Sequence, residues 1–268
     1  MSLRTMKRLL AIVCEVFHRE ACAAAAQSRL RVDFEFLPKS LHDIGEEAMS
    51  ARLQATIDHA LQTRSADEQP GAIVLLYGLC NNGICGLHAP VPLVVARAHD
   101  CITLLLGSRE RYEAHFAAHP GTFYKSPGWI ERDSDPNDNP ASVTSRLGLS
   151  RNYAELVEQF GEDNAQYLME TMGDWLKHYK RLCLITTGVG PEEEYRQCSR
   201  AQAEEKGWLY EEVAGDTSLI QRLLNGEWDE RECLVLPPGQ KIVASHEEGV
   251  IRAACADCAG CTQVNESI

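Results

Sequence analysis

Apolar runs of strand length alternate with longer amphipathic stretches along most of this chain. Leu9–Val13 is the first such run, and it ends at Cys14 and Glu15. The Ala-rich stretch Glu20–Ser28 reads as a helix. Arg31–Leu37 alternates Val32, Phe34 and Phe36 with Asp33 and Glu35, the period of a strand, until Pro38 stops it. Ser40, His42 and Asp43 supply helix-start residues before the amphipathic pattern Ile44–Leu61. Asp43, Glu46 and Glu47 suit its first turn, where the helix dipole favours negative charge. Two further apolar runs, Ala72–Tyr77 and Pro92–Ala96, each open into polar residues that include a cysteine. Cys101–Ala118 reads as one helix, closed by His119-Pro120-Gly121, and Thr122–Tyr124 as a short strand.

The second half repeats the alternation. Tyr153–Tyr179 reads as one or two helices, Arg181–Thr186 as a buried strand, Pro191–Lys206 as a helix and Trp208–Glu212 as a strand. A helix over Leu219–Leu224 and a last strand over Cys233–Leu236 complete the pattern. Strands alternating with helices predict an α/β fold with a mostly parallel, Rossmann-like doubly wound sheet. Residues 131–142 are polar and contain Pro136 and Pro140, as a linker or lid would. One sheet, or two lobes joined there, fits the pattern equally. Residues 1–245 are expected to form the core and 246–268 a cysteine-containing tail, with the tail character beginning near Ile251.

Charge and composition narrow the function classes. A formal net charge of −13 argues against nucleic-acid binding and against docking on anionic lipid. No apolar run approaches the roughly 18 residues that a membrane span needs. Basic residues precede Leu9–Phe17, as in a signal peptide, but the run carries Glu15 and no small-residue cleavage site follows. A cytoplasmic location is expected. Eleven cysteines, an odd number without a secretory signal, point to metal ligation, redox chemistry or buried thiols rather than a disulfide framework.

Three of these cysteines follow apolar strands. In a parallel sheet Cys14, Cys80 and Cys101 all fall at one edge, outside the strand carboxyl ends where open α/β sheets bind ligands. Three thiolates with one position open suit zinc acting as a Lewis acid, or a [4Fe–4S] cluster with one unique iron. Cys101 has a second candidate role as a metal-free nucleophile. It lies at a helix start, with His99 and Asp100 beside it as catalytic partners. Arg97, Gly78, Asn82 and Gly83 border these strand ends and are candidates for holding a cofactor. Tyr77, Tyr124, Trp129 and Trp228 are candidate pocket walls. His42 and Asp43 read first as a helix cap and second as ligands. No Gly-x-Gly-x-x-Gly or Walker pattern occurs, and Thr187-Gly188-Val189-Gly190 reads as a βα turn. The tail carries Cys255, Cys258 and Cys261 at ferredoxin-like spacing, without the fourth cysteine and its proline.

The motifs YGLCNNGICGL, RAHDCITLLLGSRERY, PGTFYKSPGWIER, GDTSLIQRLLNGEWD and CLVLPPGQKI occur in this order between about Leu9 and Ile242. In these the chain resembles the bacterial and archaeal family called domain of unknown function 1638. One departure is Cys80-Asn81-Asn82-Gly83, where the family pattern usually reads Cys-Gly-Asn-Gly. Members are often encoded near corrinoid-dependent methyltransferases. The resemblance therefore implies a methyl-transfer setting, with a corrinoid as a further candidate cofactor and a small molecule or a corrinoid protein as partner. The expected function is cytosolic metal binding in that setting. The alternatives are a metal or cofactor carrier without catalysis and the metal-free Cys101 enzyme.

Overall fold

The computed structural model describes residues 6–80, 82–132, 162, 178–245 and 249–256. Its main sheet has five strands in the order β2-β1-β3-β4-β8: β1 (Arg8–Cys14), β2 (Arg31–Leu37), β3 (Ile73–Leu76), β4 (Leu93–Ala96) and β8 (Cys233–Leu236). The first four pair in parallel and β8 runs antiparallel to β4. Buried on both sides, β1, β3 and β4 read as almost continuous apolar runs, as parallel strands covered by helices must. Edge strand β2 keeps an alternating sequence, with Asp33 and Glu35 paired to Arg8 and Arg64.

Between β1 and β2 runs α1 (His18–Gln27), and α2 (Glu46–Thr63) carries the chain back over β1 to β3. Right-handed crossovers in opposite directions put these helices on opposite faces. The order reverses between β1 and β3, which makes the space outside their carboxyl ends the topological switch point.

Three parallel strands form a second sheet, β5 (Thr122–Lys125), β6 (Arg181–Thr186) and β7 (Leu209–Ala214) in the order β5-β6-β7. Helix α5 (Pro127–Arg132) leaves β5 and packs on the 3-10 turn Glu15–Phe17 that follows β1. Helices α6 (Glu192–Lys206) and α7 (Ser218–Asn225) flank β7, and α7 packs on α1.

Several expectations change. The single helix over Cys101–Ala118 is two, α3 (Cys101–Leu106) and α4 (Arg109–Ala118). Gly107 breaks it by adopting φ 85, and the Ser108 hydroxyl accepts from Arg111 N to cap α4. The chain from Ile251 is not tail at its start. Strand β10 (Ile251–Cys255) pairs antiparallel with β9 (Gln240–Ala244), and Ile251 belongs to the main core. Cys255 closes that strand, whereas Cys258 and Cys261 lie outside the described residues. The 131–142 linker, past Arg132, and nearly all of Tyr153–Tyr179 also lie outside them.

Candidate metal centre at the strand switch point

Cys14 is the last residue of β1 and fully buried. Cys80 lies beyond β3, where Leu79 N donates to Ala98 O at 2.8 Å and Cys80 N to His99 O at 3.0 Å, prolonging the contact between the two strand ends. Gly78 permits that approach, since a Cβ there would stand 2.7 Å from the Asp100 backbone. Cys80 takes φ 47 and Asn82 φ 65, left-handed conformations that cost a side-chain-bearing residue about 1–2 kcal/mol. Strain of this kind gathers at functional sites. Cys101 opens α3, whose N-cap Asp100 accepts from Ile102 N at 3.0 Å and Thr103 N at 3.3 Å.

The three thiols share one electrostatic neighbourhood. Burial pushes each of them up first. Negative charge on Cys101 adds to the rise at Cys14, and Cys101, Cys14 and Asp100 all add to it at Cys80. The Cys101 thiol is pushed up to about 12, by burial and then by Asp100, against the hydrogen bond from Trp129 Nε1 at 3.5 Å. These groups are neutral thiols at physiological pH. Around them sit residues that the sequence reading held in second place or passed over. His42 Nε2 is 3.4 Å from Cys14 Sγ, and its ring lies 6.2 Å from both Tyr77 and Trp129. Burial, reinforced by Lys39, lowers His42 to about 4 and keeps it a neutral imidazole. Tyr77 is 1% exposed and its hydroxyl has no hydrogen-bond partner among the described residues. The buried Lys39 ammonium lies over the Trp129 ring and donates to Arg132 O at 3.1 Å.

Local folding explains why this surround forms. Glu15, next to Cys14, accepts from Lys39 N at 2.7 Å and so fastens the 3-10 segment Lys39–Asp43 beside the end of β1. Lys39 and His42 are one 3-10 turn apart, hence on one side of that segment. Glu15 also pairs with Arg132, the last residue of α5, the helix that carries Trp129 to Cys101.

The remaining candidates are placed elsewhere. His99 is exposed and lines a separate cavity of about 280 Å³ with Asp100, Thr103, Arg109, Tyr112, Glu113 and Phe116. Its side chain belongs to that solvent-facing cavity, and its backbone carbonyl to Cys80. Asp100 caps α3 and accepts from the Tyr112 hydroxyl. The Arg97 guanidinium is spent on the carbonyls of Glu230, Gly249 and Ile251, anchoring the loop into β10. Gly83 packs against the Met49 side chain, and Trp228 donates to Leu223 O. Tyr124 bonds His115 at 2.6 Å beside an aromatic-lined cavity of about 790 Å³. The signal that would have found Lys39 and His42 was Lys39-Ser40-Leu41-His42, immediately past a parallel strand end.

As the side chains stand, no group of three or more His, Cys, Asp or Glu among the described residues is drawn close enough to hold a metal ion. The donor types nevertheless suit a soft cation in kind, with three thiols and a neutral imidazole at or beside neighbouring strand ends.

Fold and site together define a Rossmann-like α/β protein with three cysteines, one buried and two half-buried, about its strand switch point. The chain belongs to the family described as "Protein of unknown function (DUF1638)", which matches residues 36–224. No curated protein and no solved structure matches it. No helix among the described residues is long and apolar enough to cross a membrane.

Proposed function

We propose that this is a metal-binding protein, with Cys14, Cys80 and Cys101 as thiolate ligands of zinc or of an iron–sulfur cluster. The observation that supports the reading is that the ends of β1, β3 and β4 bring the buried Cys14 and the half-buried Cys80 and Cys101 into one electrostatic neighbourhood. Neutral thiols this hard to ionise are poor nucleophiles on their own, and a bound cation is what would draw off their protons. Closing on a metal requires the cysteine side chains to turn onto a common point, while their backbones stay tied by the strand ladder and the α3 N-terminus. A metal held there supplies Lewis acidity or, as a cluster, electron transfer. Trp129 N–H supports the Cys101 sulfur, and Lys39 contributes positive charge close to Cys14. The metal-free reading, with Cys101 as nucleophile and His99 as base, is the weaker one, because the Cys101 thiol is pushed up to about 12 and His99 faces solvent. A place in corrinoid or methyl-transfer metabolism, with a small molecule or corrinoid protein as partner, rests on the family resemblance.

The test is metal and acid-labile sulfide content after anaerobic purification. Cys14→Ala, Cys80→Ala and Cys101→Ala are compared with a chain in which Cys255, Cys258 and Cys261 are serine. Metal lost in the first three and kept in the last is expected. A folded protein that stays metal-free after reconstitution overturns the proposal.

A further inference from the structure

The cavity of about 280 Å³ beside the carboxyl end of β4 plays no part in the metal centre. Its walls are of two kinds. Tyr112 and Phe116, one turn apart on α4, set their rings edge to face with centroids 6.1 Å apart, and Phe116 is 50% exposed. The polar lining comes from Asp100 and Thr103 at the start of α3 and from Arg109 and Glu113 on α4, with the exposed His99 beside them. Two carboxylates face one guanidinium there, so the fixed charge is negative in excess. We propose that this cavity binds a small organic cation, a protonated amine carried on an aromatic or other apolar body. The site stands independently of the metal reading.

An observation separate from charge points to a missing partner. Thr103 is 2% exposed, and its hydroxyl has no hydrogen-bond partner among the described residues. Buried hydroxyls are nearly always bonded, so an orphan at a cavity wall marks a place for a ligand group. A helical threonine ordinarily donates its hydroxyl to the carbonyl one turn back. Here that residue is His99, which precedes α3 and whose carbonyl accepts from Cys80 N at 3.0 Å. The Thr103 oxygen is thus left as an acceptor for an incoming N–H.

The rest of the lining suits the same head group. Asp100 is held in place by the N–H groups of Ile102 and Thr103, and burial raises its carboxyl above the usual range. A cation beside it offsets that burial. The rings of Tyr112 and Phe116 attract a cation over their faces and cover an apolar body at the same time. At longer range, a formal net charge of −13 draws cations toward the protein and repels anions.

Benzylamine is the probe, titrated into the full chain at low ionic strength and followed by calorimetry, with benzyl alcohol and benzoate as its neutral and anionic counterparts. Benzylamine is expected to bind at least about tenfold more tightly than either, as one charge-assisted hydrogen bond allows. Thr103→Val keeps the shape and removes the hydroxyl. It is expected to weaken benzylamine about tenfold without lowering the melting temperature, whereas a hydroxyl needed for structure would lower it. Glu113→Gln is expected to weaken binding about two- to fivefold, and because Glu113 is exposed this variant tests the site whatever Thr103→Val does to folding. Preferential binding of benzoate overturns the cation assignment in favour of an anion site at Arg109 and His99. No benzylamine bound by the folded chain, or binding that neither variant weakens, overturns the site itself.

Discussion

Helix α5 covers the cysteine cluster only because residue 128 lacks a side chain. A Cβ on Gly128 would stand 1.8 Å from Val16 O and 2.4 Å from Val16 C, both backbone atoms that cannot rotate away. A carbon needs about 3.3 Å from a carbonyl oxygen, so Gly128→Ala must drive α5 from the Glu15–Phe17 turn by about 1.5 Å. The Trp129–Cys101 hydrogen bond, already 3.5 Å long, does not survive that shift. Overpacking of this kind costs about 1–3 kcal/mol, and each kcal/mol lowers the melting temperature of a chain this size by about 2–4 °C. Thermal unfolding reads the stability, and timed alkylation with peptide mapping reads the exposure of Cys101, which is expected to label faster. Gly188→Ala is the control. It also has a positive φ, 74, but no atom of the described residues lies within 4 Å of its added Cβ. It is expected to cost about 1 kcal/mol in backbone strain and to leave Cys101 labelling unchanged. A Gly128→Ala protein that melts with the wild type and labels at the wild-type rate would refute the packing argument.

Two further outcomes follow from the thiols. In the metal-free protein Cys101 holds its proton up to about pH 12, whereas an unfolded cysteine releases its own near pH 8.5. Raising the pH between those values therefore favours the unfolded chain, by about 1.4 kcal/mol per pH unit for each such thiol, and Cys101→Ser should lessen, by that one thiol's share, the fall of the urea midpoint measured from pH 8 to 10.5. Asp100→Asn keeps the acceptor that caps α3 and removes the charge that helps push Cys101 up. Its stability should stay within about 0.5 kcal/mol of wild type, against about 1–2 kcal/mol lost in Asp100→Ala, while Cys101 titrates lower and alkylates faster. An unmoved Cys101 titration in Asp100→Asn would show that the carboxylate has no hold on the thiol.

The strands were legible because burial on both faces leaves almost nothing but apolar residues in β1, β3 and β4. The strand-end positions of Cys14, Cys80 and Cys101 follow from that reading alone. His42 was not legible as a partner of Cys14. Their contact depends on β2 lying beside β1, and a histidine past a proline looks the same whether it caps a helix or faces a thiol. Arg97 misled for a similar reason. Its three carbonyl partners belong to residues 230–251, and no local pattern announces them. The β9–β10 hairpin escaped because it is shallow, with exposed or half-buried positions between single buried ones. The break at Gly107 follows from a left-handed glycine before a capping serine, a signal that was visible but outweighed by the apolar run on its N-terminal side.

The order of the strands has a consequence for how the protein is made. Cys14, His42, Cys80 and Cys101 all lie on the four parallel strand units that precede residue 107, whereas β8, which closes the β4 edge, begins only at Cys233. During synthesis these four residues emerge well over a hundred residues ahead of the strand that completes their sheet. Over that interval the β4 edge offers unpaired backbone groups to any neighbouring strand. An early-bound metal would fasten the ends of β1, β3 and α3 while β4 still lacks its partner, holding the nascent sheet in register at the stage when it is most prone to pair wrongly.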